Sequence, residues 1–339
     1  MKAHSGNIYL ILVFIFLIIT GNSETIQAQD KGAEFLAIAK DNLREGDRFS
    51  ALVTLDSALL KSPRYADAYL LRATVRTEIQ NLEGAMEDLS TVIRIDPGRA
   101  EAYFRRAIIY ADLGYHRDYS LRDLSEAIAL DRKQSRYYVE RARIRASSIN
   151  TYNGNREYDL AVDDINRAIA VDPRNGRLYF LRAGYKLKLE ERDQALQDYS
   201  SAIELFPDYA KYYSDRGLLY LVLENYEKSA LDYRKAISLD PENPEYYRNL
   251  AHAFYNYGNF RASINAFSES INLLIRKINE NTSKEQLQKI TDELKEVYLM
   301  RGSAFANMGR EGEACDDFGR SRELGERRAL NYMRKYCGK

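Results

Sequence analysis

Apolar and small residues recur along the chain with the spacing of paired amphipathic helices. Between Arg177 and Pro207, Tyr179 and Ala183 lie one turn apart in a first segment, and Ala195, Tyr199 and Ala202 share one face of a second. Pro207 ends the second segment, where a helix cannot continue. Small side chains at Ala183, Ala195 and Ala202 let two backbones approach, while Tyr179 and Tyr199 fill the space between layers. The stretch predicts two helices packed as a hairpin.

Aligned on that proline, the chain repeats. Pro63 and Pro97, Pro173 and Pro207, and Pro207 and Pro241 are each 34 residues apart, and Arg132 takes the proline slot between Pro97 and Pro173. A tyrosine followed four residues later by Ala or Gly recurs as Tyr69/Ala73, Tyr103/Ala107, Tyr138/Ala142, Tyr179/Ala183, Tyr213/Gly217, Tyr247/Ala251 and Tyr298/Gly302. With a degenerate first copy marked by Phe35, Ala39, Ala51 and Ala58, eight repeats fill roughly residues 32 to 325.

A large residue at position 4, small residues at 8, 20 and 27, an aromatic or Leu at 24 and Pro at 32 of a 34-residue repeat resemble the tetratricopeptide repeat. The resemblance implies an all-α solenoid, a right-handed superhelix of about eight helical hairpins that serves as a scaffold rather than a catalyst. The expected organisation is a signal peptide over 1–28, a repeat domain over 29–325 with insertions near 147–157 and 272–294, and a C-terminal capping helix over 326–339. Ser, Asn and Gly residues place the first insertion in the turn of its hairpin. In the second, Ser283 and Gln286 form a capping box that starts a long helix through Met308. The cap, read as a helix from Arg327 to Cys337, puts Ala329, Leu330, Met333 and Tyr336 on one face.

Two positions change together. Arg72, Arg106, Arg141, Arg182, Arg216 and Arg301 stand at position 7 of six repeats, and the same six carry Asp88, Asp123, Asp164, Asp198, Asp232 and Asp317 at position 23. The first repeat has Ile38 with Thr54 and the seventh Leu250 with Ala266. Pairing each Arg with the Asp of its own repeat accounts for all eight, so these residues are expected to form structural ion pairs within hairpins; a ligand-binding arginine ladder is the alternative.

The resemblance also implies a concave groove lined by positions 2, 5, 9, 12 and 13 of each first helix. Its apolar floor would hold Leu70, Phe104, Ile108, Val139, Phe180 and Leu218, and Arg136, Arg143, Arg177 and Lys211 would lay a positive field over it. Such a groove suits a peptide with apolar anchors and acidic residues, although the floor could instead pack against an inserted element or a twin subunit. The Lys and Asn set with which some family members clamp a C-terminal carboxylate is missing from these positions.

Composition narrows the classes. Fifty basic and fifty acidic residues balance, which argues against nucleic acid as the partner. His4, His116 and His252 are far apart, and no HExxH, Gly-rich phosphate loop or Cys-x-x-Cys occurs, so no catalytic residue, metal site or cofactor is expected. Lys2, the apolar run Ile8–Ile19 and Ile26-Gln27-Ala28 read as an export signal cleaved after Ala28; the alternative is an uncleaved anchor, but 12 apolar residues fall short of the span requirement. Cys315 and Cys337, the only cysteines, are then expected to form a disulfide. The closing segment from Ala314 to Cys337 resembles the ends of exported bacterial repeat proteins, which points to the periplasm or outer surface of a Gram-negative bacterium. The leading expectation is a non-enzymatic adaptor that binds a protein or peptide and meets the membrane only indirectly. An accessory subunit that binds glycan or another envelope polymer is the alternative.

Overall fold

The computed structural model describes residues 32–114, 117–147 and 154–338. The expected signal peptide lies outside the described residues, as does the 148–153 part of the first insertion. The chain divides into two compact units, Met1–Val171 and Asp172–Lys339. The N-terminal unit contains α1 (32–44), α2 (Arg48–Lys61), α3 (Ala66–Glu78), α4 (Leu82–Ile95), α5 (Ala100–Asp112), α6 (Arg117–Leu130), α7 (Ser135–Ala146) and α8 (Gly154–Val171). The C-terminal unit contains α9 (Gly176–Lys188), α10 (Arg192–Leu205), α11 (Ala210–Val222), α12 (Tyr226–Leu239), α13 (Pro244–Asn256), α14 (Phe260–Arg276), α15 (Lys284–Asn307), α16 (Glu311–Glu323) and α17 (Ala329–Tyr336). Consecutive helices pair as hairpins, four in each unit, and α17 follows the last.

The sequence explains the pairing locally. Ala183, Ala195 and Ala202 are fully buried where α9 and α10 approach, and Tyr199 closes the layer beneath α11. At Gly302 the approach is close, because a Cβ there would come 2.8 Å from the Phe318 ring. Among the described residues, seven hairpin turns pass through one residue with positive φ, which is Gly46, Gly114, Gly258 or Gly309 in four cases but Gln80, Glu190 or Glu224 in three. Four of the second helices begin on side-chain caps, with Asp47, Asn81, Asn225 and Asn259 each accepting a backbone N–H three residues on.

The first insertion differs from expectation: Gly154–Glu157 belongs to the first turn of α8 rather than to a turn, and Glu157 pairs with Arg117 of α6. The second folds as an extension of α14, a connection over 277–283, and extra turns at the start of α15. Ser283 and Gln286 form the expected reciprocal capping box. The cap is shorter than expected, starting at Ala329, and Leu330 is exposed while Tyr332 takes its place on the packed face. The reason is aromatic: Tyr332 and Tyr336 both lie against Phe318, with centroids 5.2 and 6.2 Å away. A Cys315–Cys337 disulfide ties α16 to the end of this cap.

Candidate binding surfaces

The six Arg–Asp sets sit inside the hairpins. Arg106 Nε and Nη2 reach the two Asp123 oxygens at 2.7 and 3.0 Å, Arg141 reaches Asp164 at 3.0 and 2.7 Å, and Arg216 reaches Asp232 at 2.8 Å twice. Arg72 with Asp88, Arg182 with Asp198 and Arg301 with Asp317 repeat the same two-pronged contact. All six aspartates are buried. Burial works against the charge on Arg106, but the hydrogen bonds and charge of Asp123 outweigh it and hold the guanidinium more firmly protonated than usual.

Five of these six arginines have a third prong. Nη1 of Arg106, Arg141, Arg216 and Arg301 donates to Ser90, Ser125, Ser200 and Ser268 on the second helix of the preceding hairpin, at 2.9 to 3.1 Å, and Arg72 reaches Asp56 in the same way. One guanidinium therefore holds three helices. Where Leu250 replaces the arginine, the corresponding residue of the preceding hairpin is Arg234, which turns instead over the Phe254 ring at 5.2 Å. With all three nitrogens of these five committed to protein groups, the arginines are structural and offer no ladder to a ligand.

The expected groove residues fare differently. In the N-terminal unit Phe104 is buried, tilted against Tyr137 at 4.8 Å, and covered by the Arg136 guanidinium at 4.9 Å. Leu70, Ile108 and Val139 are half-buried. Arg136 pairs with Glu101 at 2.6 Å and Arg143 with Glu140 at 2.7 Å. In the C-terminal unit Lys211 pairs with Asp215 at 2.9 Å, and that bond survives although burial pushes the Asp215 carboxyl up. Three of the four cations expected to form a positive field are thus matched by carboxylates, and only Arg177 lacks one among the described residues. Phe180 is half-buried between Tyr199 and Tyr212 rather than open to a ligand.

What remains open is on α11. Leu218 is 47% exposed, and Val222, one turn further along the same face, is 60% exposed. On the adjacent α9, Gly184 leaves space, since a Cβ there would meet nothing within 4 Å. On α13, His252 stands edge-on to Phe267 at 5.2 Å, and burial together with the nearby Arg248 charge lowers its pKa.

Hairpins of this geometry have solved counterparts. The C-terminal part of a TPR repeat-containing protein from Cytophaga hutchinsonii superposes with a TM-score of 0.64, covering 77% of this chain and 98% of its own at 16% identity. A family model described as TPR repeat matches residues 220–258, which run from the end of α11 to the turn after α13. The chain has the tetratricopeptide-repeat (TPR) fold, and residues 220–258 match the repeat itself. Other similar structures include YrrB, described as a TPR protein with an unusual peptide-binding site (TM-score 0.47, 17% identity, 60% of this chain and 97% of that one). PilF of Pseudomonas aeruginosa is another (TM-score 0.49, 15% identity, 70% and 97%). A search of the curated proteins finds no match.

In TPR numbering Leu218 and Val222 are positions 9 and 13 of the sixth repeat. Position 13 in the other seven repeats is Arg44, Glu78, Asp112, Ser147, Lys188, Asn256 and Asn307, so the single apolar residue there was a readable signal. The serines that take the third prong were equally readable, because Ser90, Ser125 and Ser200 each precede their arginine by 16 residues.

Proposed function

We propose that this TPR protein is a non-enzymatic adaptor that holds an extended peptide by aliphatic anchors on the α11 face of its C-terminal unit. The observation that carries the reading is the exposed pair Leu218 and Val222, set beside the space above Gly184. Covering the exposed half of each side chain would contribute about 1 kcal/mol apiece. Because Arg136, Arg143 and Lys211 are already paired, the partner is selected by apolar anchors more than by acidic residues. We further propose that the protein works in an exported, oxidising compartment of the bacterial envelope; the amino-terminal apolar run and the Cys315–Cys337 disulfide support this. Glycan binding is the weaker reading, since Tyr138, Tyr199, Tyr213, Tyr233 and Tyr298 are buried in packing layers and present no stacking face.

The test is affinity for a partner captured from envelope extract. Leu218→Asp with Val222→Asp should weaken binding by about 30-fold, the equivalent of the two lost contacts. Unchanged affinity with unchanged circular dichroism would remove the α11 face as the binding site.

A further inference from the structure

The second insertion borders an open cleft of about 550 Å³ between the start of α13, the end of α14, the 277–283 connection and the first turns of α15. That volume lies within the range of small-ligand sites. Pro244 and Leu274, both buried, and half-buried Ile290 supply apolar lining.

The polar groups of the wall are unbalanced in one direction. Its two carboxylates, Glu245 and Glu293, both face Arg248, at 3.8 and 3.4 Å. Its two ammonium groups, Lys277 and Lys289, have no carboxylate partner among the described residues. The amides are oriented by the backbone: Asn279 Oδ1 accepts from the Asn281 N–H at 2.9 Å, and Gln286 Oε1 accepts from the Ser283 N–H at 2.9 Å. A backbone N–H can only donate, so each amide oxygen is turned toward the backbone and the Asn279 Nδ2 and Gln286 Nε2 donors remain. The connection is held in place, because Thr282 Oγ1 accepts from the Asn279 N–H at 2.8 Å and donates to the Lys277 carbonyl at 3.3 Å. Four exposed sets of donors thus stand beside an apolar lining.

We propose that this cleft binds an aliphatic carboxylate, with its oxygens on Lys277, Lys289 and the two amides and its alkyl body against Leu274 and Ile290. Glu245 and Glu293 in the same wall select a monoanion over a dianion such as phosphate. The carboxylate comes either from a free acid or from the C-terminus of a peptide. None of the α11 strip lines this cleft, so the proposal does not rest on the reading above.

Calorimetric titration of the full chain with N-acetyl-leucine, a hexapeptide ending in free leucine, the same peptide as its amide, and inorganic phosphate tests it. Binding of the free acid or the free peptide is expected, with the tighter of the two identifying the source. The amide and the Lys277→Gln/Lys289→Gln variant should each lose at least about tenfold, whereas Leu218→Asp/Val222→Asp should bind as the parent does. No binding of either carboxylate, equal binding of the amide, full affinity in the lysine variant, or tighter binding of phosphate would each overturn the proposal.

Discussion

Replacing Arg216 by Leu tests the three-helix clamp. The guanidinium makes two contacts of 2.8 Å to Asp232 and one of 3.0 Å to Ser200, and both charged side chains are less than a third exposed, at 19% and 8%. Solvent screening therefore takes little from the pair. The substitution strands the Asp232 carboxylate in the hairpin, a loss of about 3 to 5 kcal/mol for a broken buried pair. Removing the carboxylate as well should restore most of that, because Arg216→Leu with Asp232→Ala reproduces Leu250 and Ala266 of the α13–α14 hairpin, both buried there. Adding Ser200→Arg completes the copy, since Arg234 holds that place before Leu250. Urea unfolding of the parent, both single variants and the double gives the coupling directly. Losses that add, with no recovery in the double variant, would refute the argument.

Other consequences follow from single sites. Gln80, Glu190 and Glu224 hold left-handed backbone that costs a side chain about 1 kcal/mol, so Glu224→Gly should stabilise the protein by about 0.5 to 1 kcal/mol in the same unfolding assay. Reducing Cys315–Cys337 opens a loop with a sequence separation of 22 and should cost the α16–α17 cap about 3 kcal/mol, read as faster hydrogen exchange over 311–336 in reductant. His252 has a lowered pKa, so the unfolded chain takes up its proton first as pH falls below about 6.5, and stability present above that value is lost toward the folded pKa. His252→Gln should flatten this part of the profile when thermal unfolding is compared at about pH 7.5 and about pH 5.5.

The hairpins were legible because small residues and tyrosines keep one register, and a fold that buries each face only against its neighbours writes the same demand into every repeat. The Arg–Asp pairs were legible because Leu250 and Ala266 change together. The groove was less so. A repeat position tells which face a side chain occupies but not what neutralises it, and the carboxylates that match Arg136, Arg143 and Lys211 come from three different offsets, on a neighbouring helix, three residues before and four residues after. Phe104 looked like an open anchor until Tyr137 and Arg136 of the next repeat closed over it. The cleft beside α15 was out of reach, because it depends on how residues 277–283 fold back, which no repeat pattern specifies.

The most direct measurement of the peptide-binding reading is site-specific photo-crosslinking in the partner complex, with the crosslinker placed at Leu218 or, as control, at Leu231. Both are exposed, at 47% and 62%, but Leu231 lies on α12, the second helix of its hairpin. Crosslinks are expected from position 218 to aliphatic residues of one short partner segment, competed by that segment as a synthetic peptide, and none from position 231. Crosslinks from position 231 alone, or from 218 without competition by the peptide, would contradict that reading.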